Sequence, residues 1–263
     1  MGKNTHTDKL IQCFSCIDLT TLNATDTEAR GRLFAENVNR FVAEYPHMPS
    51  VAAICVYPAL VASVREVLQV SGVKIAAVGG GFPASQTFVQ VAEQECALCV
   101  EHGADEVDIV LSLHHFLAGQ YEQAASAIQA VRRAIGAGTH LKVILETGAL
   151  RTEENIRKAA FLAMENGADF IKTSTGKMEP AATPFAARIM CQCIAEYYEQ
   201  TGKKIGFKPA GGIVTSAEAL EYYTIVEEIL GPDWLQPSLF RIGASRLANN
   251  LLKDIFSQDL ACF

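Results

Sequence analysis

The sequence predicts an α/β protein built as a single (β/α)8 barrel of the TIM type, with a short N-terminal helical extension. Three observations lead there. Eight short β-branched or apolar runs alternate with longer segments of helical period, the pattern of repeated βα units rather than of a sandwich or a bundle. The length, 263 residues, is close to the ~250 typical of such a barrel. The first strand runs into DLTTLNATD rather than G-x-G-x-x-G, so the dinucleotide fingerprint of the alternative, an open doubly wound sheet, is missing.

The elements follow in order. Residues 1 to about 12 predict a short arm or helix, and residues 1–263 as a whole form one domain. The run CFSCIDL, from Cys13 to Leu19, predicts the first strand. Thr25-x-x-Glu28 is a capping box for a helix on which Leu33, Phe34, Val38, Phe41 and Val42 recur at helical spacing. VAAICVY and VKIAAVG predict strands two and three, and QTFVQVAEQECALCVEH has the period of the helix after them. DEVDIVLS, LKVILET and DFIKTS are strands four to six. Thr183-Pro184 pairs an N-cap hydroxyl with proline at the first helical position, where its missing N–H costs nothing. KIGFKP is strand seven, Thr215-x-x-Glu218 caps the next helix, GPDWLQP is a turn, and SLFRIGA closes the set.

With 49% hydrophobic and 19% charged residues, the chain can build a full core and has none of the bias of disorder. A net charge of -7 argues against nucleic acid or an anionic membrane as partner. MGKNTHTDKL lacks the apolar core of a signal peptide, and no run approaches the roughly 20 apolar residues of a membrane helix. A cytoplasmic protein is expected. Cys13-x-x-Cys16 and Cys96-x-x-Cys99 imitate a zinc ribbon, but the first pair reads as strand, with opposed side chains, and the second as helix far from any glycine knuckle. Cys191 and Cys193 fall on different faces of a helical stretch. Reduced thiols and no metal are expected. His114-His115 is the only histidine cluster and suits a loop or helix start.

Lys172 ends strand six and Lys208 ends strand seven, each after apolar residues and before a glycine-bearing turn. Barrel active sites stand at these strand ends. Two ammonium groups in one pocket oppose each other's protonation, and with desolvation this leaves one amine neutral and nucleophilic, as a carbonyl Schiff base requires. The alternative is that both lysines snorkel to the rim or pair with carboxylates. Asp108 lies within strand four between apolar residues; Glu106 shares its parity and Asp105 does not. Pointing inward, Asp108 can pair with Lys208 and relay protons, and Asp18 at the end of strand one is a second inward carboxylate. For both, a plain salt bridge is the competing role. Gly176 with Lys177, Gly211-Gly212, and Gly243-Ala244-Ser245 follow strands six, seven and eight, so freed amides there can close on a phosphate. Cys55, at the end of strand two, has a parity that turns it toward the pocket or into packing.

From DLTTLN through AAICVYP, GADEVDIV, LKVILETG, GADFIKTSTGK and GFKPAGG to RIGAS, the chain resembles the deoxyribose-phosphate aldolases, class I aldolases with this fold. The resemblance implies reversible cleavage of 2-deoxy-D-ribose 5-phosphate into D-glyceraldehyde 3-phosphate and acetaldehyde, a step of deoxyribose phosphate catabolism, with no cofactor. It implies Lys172 as the Schiff-base lysine, with Asp108 and Lys208 moving protons. Asp18, Cys55 and Thr175 are the expected substrate contacts, and Gly176, Lys177, Gly211, Gly212, Gly243 and Ser245 the expected phosphate site. Small molecules are the expected partners, with a homodimer as the expected assembly. The chain departs from the pattern at Val214, where many relatives carry arginine, at Arg246 in place of a second serine, in the glycine-rich VGGGFPAS, and at Ala261-Cys262-Phe263, where some relatives end in tyrosine. Two rivals remain: a lysine-dependent barrel aldolase for another phosphorylated sugar, and a barrel that binds sugar phosphate without turnover.

Overall fold

All eight apolar runs contribute a strand, and every strand pairs in parallel with its neighbours. The structure, a computed structural model, describes residues 5–263; residues 1–4 of the expected arm lie outside the described residues. In chain order the elements are α1 His6–Ser15, β1 Ile17–Thr20, α2 Glu28–Glu44, β2 Ala53–Val56, α3 Val61–Val67, β3 Lys74–Gly79, α4 Val89–Glu101, β4 Glu106–Val110, α5 Leu113–Leu117, α6 Tyr121–Ile135, β5 His140–Ile144, α7 Thr147–Leu150, α8 Glu153–Glu165, β6 Phe170–Lys172, α9 Pro184–Thr201, β7 Gly206–Lys208, α10 Ser216–Ile229, β8 Ile242–Ala244 and α11 Leu247–Phe256. The sheet runs β7-β6-β5-β4-β3-β2-β1-β8. Parallel bridges at Phe207–Phe240 and Ala210–Gly243 join β7 to β8 and close the barrel.

The period of two along each strand sorts side chains between two environments. Ile17, Leu19, Ile54, Val56, Ile75, Val107, Ile109, Leu141, Val143, Ile171, Phe207 and Ile242 pack outward into the main core beneath the helices. Inward, β2 and β3 contribute Ala53, Cys55, Ala76 and Val78, a small apolar cluster with Leu22. Further inward positions carry Asp18, Glu106, Asp108, Lys142, Lys172 and Lys208, each at most 3% exposed. Barrel interiors are commonly layered with valine, isoleucine and leucine, so this one is unusually charged. At the base, the Phe170 ring occupies the space a Cβ on Gly206 would take, which is why strand seven begins with glycine.

Two boundaries differ from expectation. The run from Cys13 to Leu19 is divided: α1 extends to Ser15 and β1 begins only at Ile17. A short apolar run does not distinguish the last turn of a buried helix from a strand, and here Leu10, Cys13 and Phe14 form one buried helical face. Cys13 and Cys16 therefore flank a helix end instead of alternating on a strand. The second correction concerns α2, whose N-cap is Thr27, accepting from the Arg30 N–H at 3.2 Å, and not Thr25. The reason lies upstream, where Asp26 accepts from the Thr21 hydroxyl at 2.7 Å and from the Asn23 N–H at 2.9 Å. Those bonds hold residues 23–26 in a turn and delay the helix. Thr183 with Pro184 and the Thr215–Glu218 capping box stand as the sequence predicts, a cap being worth about 1 kcal/mol.

All eight cysteines are free; seven are buried, Cys191 and Cys193 among them, and Cys262 is partly so. Among the described residues, no group of three or more His, Cys, Asp or Glu could hold a metal ion, and no helix is long and apolar enough to cross a membrane.

Candidate active site

Strand four places Asp108 at the middle of the barrel, and three lysines converge on its carboxylate. Lys142 Nζ on β5 donates to Oδ1 at 2.8 Å, while Lys172 Nζ on β6 and Lys208 Nζ on β7 donate to Oδ2 at 3.0 and 2.8 Å. Strand parity makes this possible: Asp108 pairs in register with Lys142, and Lys172 with Lys208. Beneath them Lys208 also contacts Asp18, and Lys142 reaches Glu106 at 2.6 Å. Arg241, one residue before β8, closes the circuit by donating to Asp18 at 2.6 Å and to Glu106 at 2.7 Å.

These contacts separate the two lysines that the sequence singles out. Burial and the neighbouring Lys208 charge push the Lys172 amine below the ordinary lysine value, against the pull of Asp108. For Lys208, burial acts the same way but is outweighed by Asp108 and Asp18, so its ammonium is held above the usual range. Asp108 is raised by burial and lowered more strongly by Lys142, Lys208 and Lys172, which hold it well below the carboxylate range. The pair is thus one amine that gives up its proton more easily than an ordinary lysine beside one that holds it more tightly.

Lys172 also borders open space. A cavity of about 460 Å³ lies between the ends of β1, β6, β7 and β8, with Lys172, Thr175, Gly176, Lys177, Gly211, Gly212, Gly243 and Ser245 on its wall. Arg30 from α2 and Arg246 join Lys177 there, and no aspartate or glutamate side chain lines it. Such a cavity suits an anion. Gly211, at φ +89°, sits so close to the β6 loop that a Cβ would lie 2.7 Å from the Ala181 Cβ and 3.0 Å from the Gly176 Cα. Glycine is required there on both counts. Thr175 donates its hydroxyl to Glu146 at 2.6 Å, which ties the loops after β5 and β6 together, and Lys177 donates to the Leu22 carbonyl.

Three of the expected contacts have surroundings that set them apart from the others. Asp18 is wholly buried and engaged with Lys208 and Arg241; it lies within the network and not on the cavity wall, because it is the second residue of β1 and Thr20, at the end of that strand, is the one that reaches the wall. Cys55 does face inward, but it too is wholly buried among Leu22, Ala53, Ala76 and Val78 and does not line the cavity; burial pushes its thiol up, so it is not a ready thiolate. Gly243 lines the cavity, yet its N–H is taken by the Pro209 carbonyl at 2.9 Å. Its contribution is room, since a Cβ there would come within 3.2 Å of Lys208 Cε. Lys142, Glu146 and Arg241 were missed. The signal for two of them was the same as for Lys172: a lone cation inside an apolar run, in LKVILET and SLFRIGA.

A parallel barrel whose desolvated amine stands beside a second ammonium, at the floor of a cation-rimmed cavity, belongs to the class of lysine-dependent carbon–carbon lyases. Comparison with known proteins narrows the class. A family model described as DeoC/LacD family aldolase matches residues 13–226. The chain is 42% identical over 252 residues to a putative deoxyribose-phosphate aldolase of Caenorhabditis elegans, covering 94% of this chain and 82% of that one. It is 41% identical over 264 residues to the deoxyribose-phosphate aldolase of Homo sapiens, covering 94% and 80%. In fold it is similar to the crystal structure of a putative deoxyribose-phosphate aldolase from Toxoplasma gondii, with a TM-score of 0.83 at 23% identity over 97% of this chain and 96% of that one. The chain belongs to the DeoC/LacD aldolase family.

Proposed function

We propose that this aldolase cleaves 2-deoxy-D-ribose 5-phosphate reversibly into D-glyceraldehyde 3-phosphate and acetaldehyde through a Schiff base on Lys172. The observation that carries this reading is the triangle of Lys172, Asp108 and Lys208, in which Lys172 lines an anion-receptive cavity and the other two lie buried directly behind it. The free amine of Lys172 adds to the C1 aldehyde of the open-chain sugar, and the carbinolamine loses water to give an iminium. Removal of the C3 hydroxyl proton then breaks the C2–C3 bond, and its electron pair moves toward the iminium nitrogen. Glyceraldehyde 3-phosphate leaves and an enamine remains. Protonation of the enamine carbon and hydrolysis release acetaldehyde and return the amine. Lys208, which keeps its proton, supplies the acid to the departing hydroxyl; Asp108 accepts protons directly or through water.

The phosphate is assigned to Gly176, Lys177, Gly211, Gly212 and Ser245, with Arg246 replacing the charge that Val214 lacks. Both Val214 and Arg246 line the cavity, so the second departure from the family pattern compensates the first. A second copy of the chain and a cytoplasmic setting are parts of the same proposal.

The test is acetaldehyde release from deoxyribose 5-phosphate, together with borohydride reduction in the presence of acetaldehyde and mapping of the adduct. Cleavage and an ethyl group on Lys172 are expected. An adduct on Lys208, or none, would refute the assignment. Arg246→Ala is expected to raise KM for deoxyribose 5-phosphate roughly tenfold, the equivalent of one charge-assisted hydrogen bond. It should leave the reaction with unphosphorylated deoxyribose unchanged; equal losses on both sugars would remove Arg246 from the phosphate site.

A further inference from the structure

The buried network holds more bases than acids. Its cations are Lys142, Lys172, Lys208 and Arg241, and its carboxylates are Asp18, Glu106 and Asp108, each at most 3% exposed. Three carboxylates neutralise three cations, and a fourth buried charge stays uncompensated, which burial penalises. The contacts decide which cation goes without. Lys142 is within 4 Å of Asp108, Glu106 and Asp18; Lys208 touches Asp108 and Asp18; Arg241 grips Asp18 and Glu106. Lys172 has Asp108 alone, at 3.0 Å, on the oxygen it shares with Lys208.

We infer that Arg241 and Glu106 are positioning residues which, from the base of the barrel and without touching the cavity, balance the network's charge so that Lys172 is the one amine left free. The inference rests on the Schiff-base assignment to Lys172. Burial and Lys208 act on Lys172 in either case, but with Arg241 absent the network holds as many carboxylates as cations with Lys172 protonated, and the surplus of charge that adds to their push is gone. With Glu106 absent, the surplus of cations grows and Lys172 loses its proton more readily. The groups facing Lys172 are Asp108 on β4, Lys208 on β7 and the Cys55 thiol on β2. Those facing the Arg241–Glu106 pair are Asp18, Lys142, the buried Cys16 thiol, the Phe170 ring and His140, whose half-exposed Nδ1 lies 3.5 Å from Glu106.

The experiment is the pH profile of adduct formation on Lys172, read by borohydride trapping with acetaldehyde in wild type, Arg241→Gln, Glu106→Gln, the double variant and Arg241→Lys. Arg241→Gln is expected to move the midpoint to higher pH by roughly one unit, about tenfold less adduct on the acid limb. Glu106→Gln is expected to move it to lower pH by a similar amount. The double variant, balanced again, returns it toward the wild-type value, and Arg241→Lys leaves it in place whatever it does to stability. A purely structural role gives a different result: loosening the barrel admits water and relaxes Lys172 toward its ordinary value, so both single variants would shift the same way, to higher pH. That outcome, or unmoved midpoints with the adduct still on Lys172, overturns the inference. Should Arg241→Gln not fold, Glu106→Gln against Arg241→Lys decides. An adduct absent from Lys172 in wild type refutes the Schiff-base assignment first, and the inference with it.

Discussion

Replacing Lys172 with methionine abolishes the trapped adduct and lowers turnover by more than about 10⁴-fold, beyond the range that loss of a general acid or base produces. Among the described residues, no other amine near the cavity can take over the addition. Lys208 is wholly buried and bound by two carboxylates that keep it protonated, and Lys177, although exposed to the cavity, sits on the loop beyond the strand with its ammonium on the Leu22 carbonyl. The fold survives, because methionine is unbranched and uncharged, and a neutral side chain at this point keeps the remaining three carboxylates matched by three cations. Melting temperature therefore stays at or above that of the wild type. Turnover within tenfold of wild type, or a methionine variant that still forms the adduct, would mean that another amine carries the reaction.

Asp108→Asn has the next largest effect and a different signature. Turnover falls about 10²–10⁴-fold as a proton acceptor is lost, yet the adduct on Lys172 still forms, since removal of a carboxylate makes that amine easier to deprotonate. Stability suffers as well: Asp108 is the shared acceptor of Lys142, Lys172 and Lys208, and leaving buried ammonium groups short of a partner costs about 3–5 kcal/mol. The sign with pH follows from the depressed carboxyl. Its contribution to stability is present above the unfolded aspartate value near 3.9 and is lost as pH falls through the lower folded value, so the wild type's advantage over Asp108→Asn shrinks in acid. Trapping and turnover falling together, with no change in stability, would contradict the assigned position of Asp108 in the network.

Part of the site was legible because local rules determine it. Alternation along β4 turns Asp108 and Glu106 one way and Asp105 the other, and Asp105 indeed pairs outside the barrel with Arg65 at 2.6 Å. The end of an apolar run marks Lys172 and Lys208 as strand-end cations. What was illegible depended on partners far apart in the chain: Asp18 reads as an inward carboxylate, for substrate or for a salt bridge, until Arg241, distant in sequence, is seen to hold it at 2.6 Å. Cys55 reads equally as a pocket or a packed thiol until Leu22 and the β3 side chains are seen to cover it.

The sequence by itself determined the alternation of strands and helices, the closure of eight units into a barrel, the shared parity of Asp108 and Glu106 and the glycine-bearing loops that rim the cavity. These follow from periodicity, caps and turn chemistry, which act over a few residues. Only the tertiary structure decided that α1 takes the first half of the Cys13–Leu19 run, that Arg246 faces the cavity, and which of four buried cations is left with a single shared carboxylate oxygen. Those outcomes turn on distances across the barrel, where the energy of a charge depends on every neighbour within a few ångströms, and no local spacing encodes that sum.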